Sequence, residues 1–127
     1  MTNTADSSAS AGQARQAVAS FQGCLAYGPY TPLPDGRYRI DFALKVEDNT
    51  SSDTVAVIDS CVYGGQQVLQ SRTLSGVDFA CPDHYAVFSL TFDAEDDLDL
   101  VEFRVLVLGK TKVTLDYVDV TRIAGKN

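Results

Sequence analysis

YGPYTPLPDGRYRIDFAL, Tyr27 to Leu44, decides the fold. Its second half alternates. Tyr38, Ile40, Phe42, Leu44 and then Val46 fall on one face, and Arg37, Arg39, Asp41, Ala43 and Lys45 on the other. A period of two with one apolar face is a strand over Arg37 to Val46 laid on a core. The first half is a turn rich in proline and glycine. Gly28-Pro29 holds Tyr27 and Tyr30 in a loop of low entropy. Those rings either form a platform for a flat ligand or cap one end of the core, and both readings stay open here.

Working outward, the same pattern recurs. EDNTSSD, Glu47 to Asp53, is a polar loop. Thr54 to Tyr63 is apolar on both faces except at Asp59, as in a central strand. Gly64-Gly65 marks a turn into Gln66 to Leu74. Tyr85 to Phe92 points Ala86, Phe88, Leu90 and Phe92 inward, and Leu100 to Leu108 does the same with Val101, Phe103, Val105 and Val107. DAEDDLD, Asp93 to Asp99, reads as a solvated acidic loop rather than a calcium loop, because it lacks the glycine and closing glutamate of an EF-hand. Gly109-Lys110 reads as a hairpin into Lys112 to Ile123. In that last strand Val113 and Leu115 share one parity, and Val118 and Val120 the other. A bulge near Asp116-Tyr117 would bring both pairs to the core.

These strands, separated by turns and almost without helical periodicity, predict an all-β fold, an antiparallel β-sandwich of jelly-roll type. Residues 1–19 are small and polar and are expected to form a flexible tail, with residues 20–127 the single domain. The chain of 127 residues is 45% hydrophobic, enough for one real core. Its net charge of −7 repels phosphate backbones and anionic lipid, so neither nucleic acid nor a membrane is an expected partner. The N-terminus has no basic and apolar leader of the secretory kind. The chain is therefore expected to be cytoplasmic or a domain excised from a larger bacterial protein.

Three cysteines, none in a CxxC pair, and a single histidine argue against a four-ligand zinc site. The thiols read as reduced and buried. There is no phosphate-binding glycine loop and no nucleophile beside a base. Carboxylates are plentiful, but no pair is marked as the acid and base of a glycosidase, so the chain is not expected to be an enzyme.

The order of strands, with Pro34-Asp35-Gly36-Arg37-Tyr38-Arg39-Ile40-Asp41-Phe42, then VEFRV, then Leu115-Asp116-Tyr117-Val118-Asp119-Val120, resembles bacterial carbohydrate-binding-module-like sandwiches, jelly rolls of the galactose-binding-like type. The resemblance spans about residues 21 to 123. It implies non-catalytic binding of an oligo- or polysaccharide, as an accessory to a polysaccharide-processing or glycan-transfer or export protein. It also implies a structural calcium with Asp116 as the metal ligand. The chain has no tryptophan, the usual stacking residue of such modules, so tyrosine and polar side chains would carry the contact.

Candidate ligand-binding residues are Tyr27, Tyr30, Arg39, Asp59, Arg72, His84, Tyr85 and Arg104. Sugars offer C–H faces to aromatic rings and hydroxyls to fixed polar groups. His84-Tyr85 follows Cys81-Pro82-Asp83 in a turn and is either a sugar contact or an exposed loop. Arg37, Arg39, Asp41, Arg72, Glu102 and Arg104 form one mixed-charge face if their strands are neighbours. Such a face either grips hydroxyls or only keeps the sheet soluble. Asp59, on a central strand, needs a partner, and Arg72 or Arg104 can supply it. The alternative function is a structural or oligomerisation sandwich that meets a protein partner or a second copy of the chain.

Overall fold

A computed structural model describes residues 2–5, 13–17, 22–26, 29–62 and 66–124. Among the described residues ten strands follow one another: β1 Thr2–Ala5, β2 Gln13–Ala17, β3 Gln22–Ala26, β4 Pro29–Leu33, β5 Gly36–Val46, β6 Thr54–Val62, β7 Gln67–Ser75, β8 Ala86–Ala94, β9 Leu98–Leu108 and β10 Val113–Ala124. They form two antiparallel sheets. The first has the order β1-β2-β10-β5-β8. The second runs β3-β9-β6-β7, with β4 also paired to β9. The protein is an antiparallel β-sandwich.

The alternation read from the sequence sets the core. Tyr38, Ile40, Phe42, Leu44 and Val46 of β5 meet Val101, Phe103, Val105 and Val107 of β9, all nearly inaccessible to water. Phe88, Leu90 and Phe92 of β8 complete the layer. Tyr38 stacks on Phe92, with ring centroids 5.6 Å apart, and its hydroxyl donates to the Pro34 carbonyl at 2.6 Å. The burial of a phenol is thus matched by a partner for its polar end.

β10 bulges between Leu115 and Tyr117, where its register with β5 slips by one residue. This is the expected bulge. It sets Val118 opposite Phe42 and Val120 opposite Ile40. Val113 and Leu115 are buried and Val118 packs against the core, but Val120 stays 39% exposed. Among the described residues β2 pairs with β10 over Val113 to Leu115, well short of Val120. Residues 2–5 and 13–17, within the segment expected as a tail, lie in β1 and β2.

Two further expectations need correction. Gly109, at φ 76°, does turn the chain, but not into a hairpin. β9 belongs to the second sheet and β10 to the first, so the turn crosses between layers. The three cysteines form no disulfide with one another, but only Cys61 is buried, Cys24 is half-buried and Cys81 is exposed.

The sandwich has two long open sides. On one, the edge strand β7 lies over the edge strand β8. β7 reads QVLQSRTLS, mostly polar, as an edge exposed to water should.

Candidate functional site

The expected mixed-charge face is divided between the sheets. Arg37, Arg39 and Asp41 lie on β5 of the first sheet, and Glu102 and Arg104 on β9 of the second. Arg72 pairs in register with the inward-facing Ile58 and so sits on the interior side of β7, where its guanidinium lies 5.3 Å from the centre of the Phe88 ring. One surface made of all six side chains does not exist.

Two smaller groupings replace it. On the outer face of the second sheet, Asp59 of β6 stands directly opposite Arg104 of β9. Arg104 donates Nε to Oδ1 at 2.9 Å and Nη2 to Oδ2 at 2.5 Å, a two-point fork. Of the two partners offered by the sequence, register selects Arg104. Asp59 is 5% exposed and Arg104 23%. The carboxylate is thus the floor and the guanidinium the accessible edge. These hydrogen bonds to Asp59 hold the guanidinium still more firmly in its charged form. Beside the fork, Cys61 pairs with Glu102 in register, and the thiol lies 4.0 Å from the Glu102 carboxyl. Glu102 is itself buried, an outward-facing carboxyl on a central strand.

β4 runs along β9 at this level, with Pro29 opposite Glu102 and Thr31 opposite Val101. Tyr30 therefore sits on the strand next to Glu102. Tyr27 lies outside the described residues. The fold brings Pro29 and Tyr30 of β4, Glu102 and Arg104 of β9, and Asp59 of β6 onto one sheet.

The remaining candidates lie elsewhere. Arg39 is on the outer face of the first sheet, with Nε 3.4 Å from Asp41, which in turn accepts from the Ser89 hydroxyl at 2.6 Å. Tyr85 lies beneath the Lys45 ammonium, 4.8 Å from the ring centre. His84 is exposed in a loop, its Nδ1 2.8 Å from the Pro82 carbonyl. Asp83 holds that loop to β5, donating its backbone N–H to the Val46 carbonyl at 2.8 Å. These three belong to the opposite layer from Asp59 and Arg104.

Asp116 occupies the β10 bulge. Among the described residues no three His, Cys, Asp or Glu side chains are placed to hold a metal ion.

The structure makes a second grouping that the sequence does not mark. At the end of the β7–β8 side, Arg37, Leu69, Gln70, Thr91, Phe92 and Asp93 line a groove of about 320 Å³. The sequence places Asp93 in a loop and does not mark Gln70; in the fold Asp93 lies in β8, and nothing in a sequence tells which edge strands lie across from each other.

No known sequence family matches the chain, and no curated protein matches it. Solved structures do. One is the C-terminal CBM6 of LamC, a marine laminarinase from Zobellia galactanivorans. It is 13% identical, has a TM-score of 0.56, and the match covers 96% of this chain and 92% of that one. Another is the C-terminal domain of EclA, a sugar-binding protein. It is 12% identical, also with a TM-score of 0.56, over 93% of this chain and 81% of that one. The chain shares the sandwich fold of the CBM6 module and of the EclA domain, in line with the resemblance read from its strand order.

Proposed function

We propose that this protein is a non-catalytic carbohydrate-binding domain, accessory to a polysaccharide-processing or glycan-transfer or export protein. Its sugar-contacting surface is the outer face of the second sheet around Arg104. The observation that carries this reading is the Arg104–Asp59 fork, whose guanidinium stays partly exposed above a buried carboxylate. A buried carboxylate that fixes a guanidinium gives directional donors at no further entropic cost, which is how sugar hydroxyls are held. The bidentate pair uses two of the five N–H groups of the guanidinium, and the others serve outside acceptors. Asp59 is a positioning residue here and Arg104 the contact. The tyrosine-bearing segment alongside would supply the stacking surface. Likeness of fold to the laminarinase module and to the EclA domain supports the same class of ligand.

The charges narrow that class. The Arg104 guanidinium is already paired with a carboxylate, Asp59, in a chain of net charge −7. Uronate or sulfated sugars are therefore disfavoured and neutral glycans favoured. Catalysis is not supported. Glycoside hydrolysis needs one carboxyl kept protonated as an acid, and Asp59 is instead tied to a guanidinium.

The test is a glycan array of the purified protein, with and without calcium, beside Tyr30→Ala and the paired variant Asp59→Asn with Arg104→Gln. Selective binding to neutral glycans, lost in the variants while they remain folded, is the expected result. No binding to any glycan in either condition would overturn the reading and leave the sandwich as a protein-contact domain.

A further inference from the structure

The β7–β8 groove is a separate recess, and its chemistry is that of a ligand site. Its lining is mixed. Arg37 and Asp93 stand opposite each other in register, with Nε 3.7 Å from Oδ1 and both side chains more than half exposed. That is a loose pair, able to open toward a third group. Gln70 crosses from β7 to β8 and donates Nε2 to the Thr91 carbonyl at 3.3 Å, while its Oε1 accepts from the Ser71 N–H at 3.1 Å. Its amide is therefore held in one orientation across the gap. Leu69 and Phe92 form the apolar part of the wall.

The backbone adds more. β8 pairs with β5 on one side, without a register shift from Gly36 to Leu44. The Thr91 carbonyl points away from β5, toward Gln70. Strand alternation turns the backbone groups of Asp93 the same way. An edge of this kind offers both donors and acceptors to whatever lies along it.

We infer that this groove is a second saccharide-binding subsite, separate from the Arg104 face, that takes a short neutral saccharide or the end of a chain. The inference rests on the carbohydrate reading proposed above. A carboxylate next to the guanidinium disfavours a simple anion. A lining this polar disfavours an apolar ligand. A guanidinium, a carboxylate, an amide and strand-edge groups beside a small apolar wall suit a polyhydroxylated ring. The volume is at the low end of ligand pockets, about 300 to 1,000 Å³, which fits one or two sugar rings and not a long chain. Two subsites on different sides would let one domain bridge two chains or two stretches of one chain, with a gain in avidity.

The experiment is a ¹H–¹⁵N chemical-shift titration of the whole chain. The probes are methyl glycosides of glucose, galactose and mannose, and glucose disaccharides with β-1,3 and β-1,4 linkages. The same titration is run on Arg37→Ala with Gln70→Ala, two exposed positions whose loss leaves the core intact. Saturable shifts at residues 69–70 and 91–93, weakened about tenfold or more in that variant, are expected. Unchanged groove affinity in the variant would overturn the subsite. Shifts confined to β6 and β9 around Arg104 would also overturn it while leaving the proposed function standing. Shifts nowhere would overturn both.

Discussion

Arg104 and Asp59 face each other across β9 and β6 with both donor–acceptor pairs of the fork formed, and the carboxylate is almost wholly buried. The pair is therefore asymmetric under mutation. Arg104→Ala leaves a buried charge without its partner and should cost about 3 kcal/mol. Asp59→Asn with Arg104→Gln removes both charges and keeps amide groups facing each other, so it should cost less than half of that. Arg104→Lys keeps the charge and loses the fork, and should fall between. Urea denaturation of the three variants checks the order. A cost for Arg104→Ala no larger than for the pair would show that the carboxylate is not held by this contact.

One residue along β6, the geometry is reversed. Ser60 points into the core, wholly buried, and its hydroxyl has no hydrogen-bond partner among the described residues. An unmet buried hydroxyl costs roughly 1–3 kcal/mol. Ser60→Ala removes one oxygen and leaves a cavity smaller than a water, so the variant should be more stable, by about 1 kcal/mol. Thermal and urea unfolding would show it. A clear loss of stability would mean that the hydroxyl has a partner, such as a trapped water.

These two neighbours also show what a sequence can and cannot carry. The alternation of β5, β8 and β9 was legible because each strand buries a single face. Asp59 stood out because it broke an apolar run, and its need for a partner followed from charge alone. The choice between Arg72 and Arg104 did not follow. It depends on the β6–β7 register, which slips between Ser60 and Cys61, and a slip of one residue moves every later side chain to the other face. The turn at Gly109 was legible as a turn, but glycine serves a hairpin and a crossing between sheets equally. The β7–β8 groove was not legible at all, because it is made by two edges more than twenty residues apart.

The Glu47 to Asp53 loop carries its own acid sensitivity. Asp48 Oδ1 accepts from the Thr50 hydroxyl at 2.6 Å and from the Thr50 N–H at 2.8 Å. The hydroxyl bond first, then the backbone bond, holds the Asp48 carboxyl below the ordinary aspartate range. Because the folded pKa is the lower one, this contribution is complete above the titration of the unfolded carboxyl. It is lost as pH falls through the folded value. Carbon-detected NMR titration should therefore find Asp48 among the last carboxyls to protonate. In Thr50→Val the midpoint should move up toward the ordinary range. An unchanged midpoint would show that the hydroxyl does not set it.

The turn after β7 is fastened to that same loop through Gly76. Val77 donates its N–H to the Ser51 carbonyl at 3.0 Å, and Asn49 Nδ2 donates to the Phe79 carbonyl at 3.0 Å. A Cβ on Gly76 would lie 2.8 Å from the Ser51 carbonyl oxygen and 3.2 Å from its nitrogen. Both are backbone atoms, and the oxygen is the one that accepts from Val77, so it cannot recede without breaking that bond. Gly76→Ala should then cost about 1–3 kcal/mol through steric overlap. The strain should pass to Phe79, whose ring packs edge-on against Phe88 with centroids 4.8 Å apart. Asn49→Ala removes a tether without a clash and should cost only about 1 kcal/mol. Paired urea curves test this. Equal costs for the two would mean that the loop moves aside freely and that Gly76 is not required there. If the larger cost of Gly76→Ala is found, saccharide shifts at residues 69–70 and 91–93 should persist below the melting point, because the groove lies toward the other end of β7 and β8 from this turn.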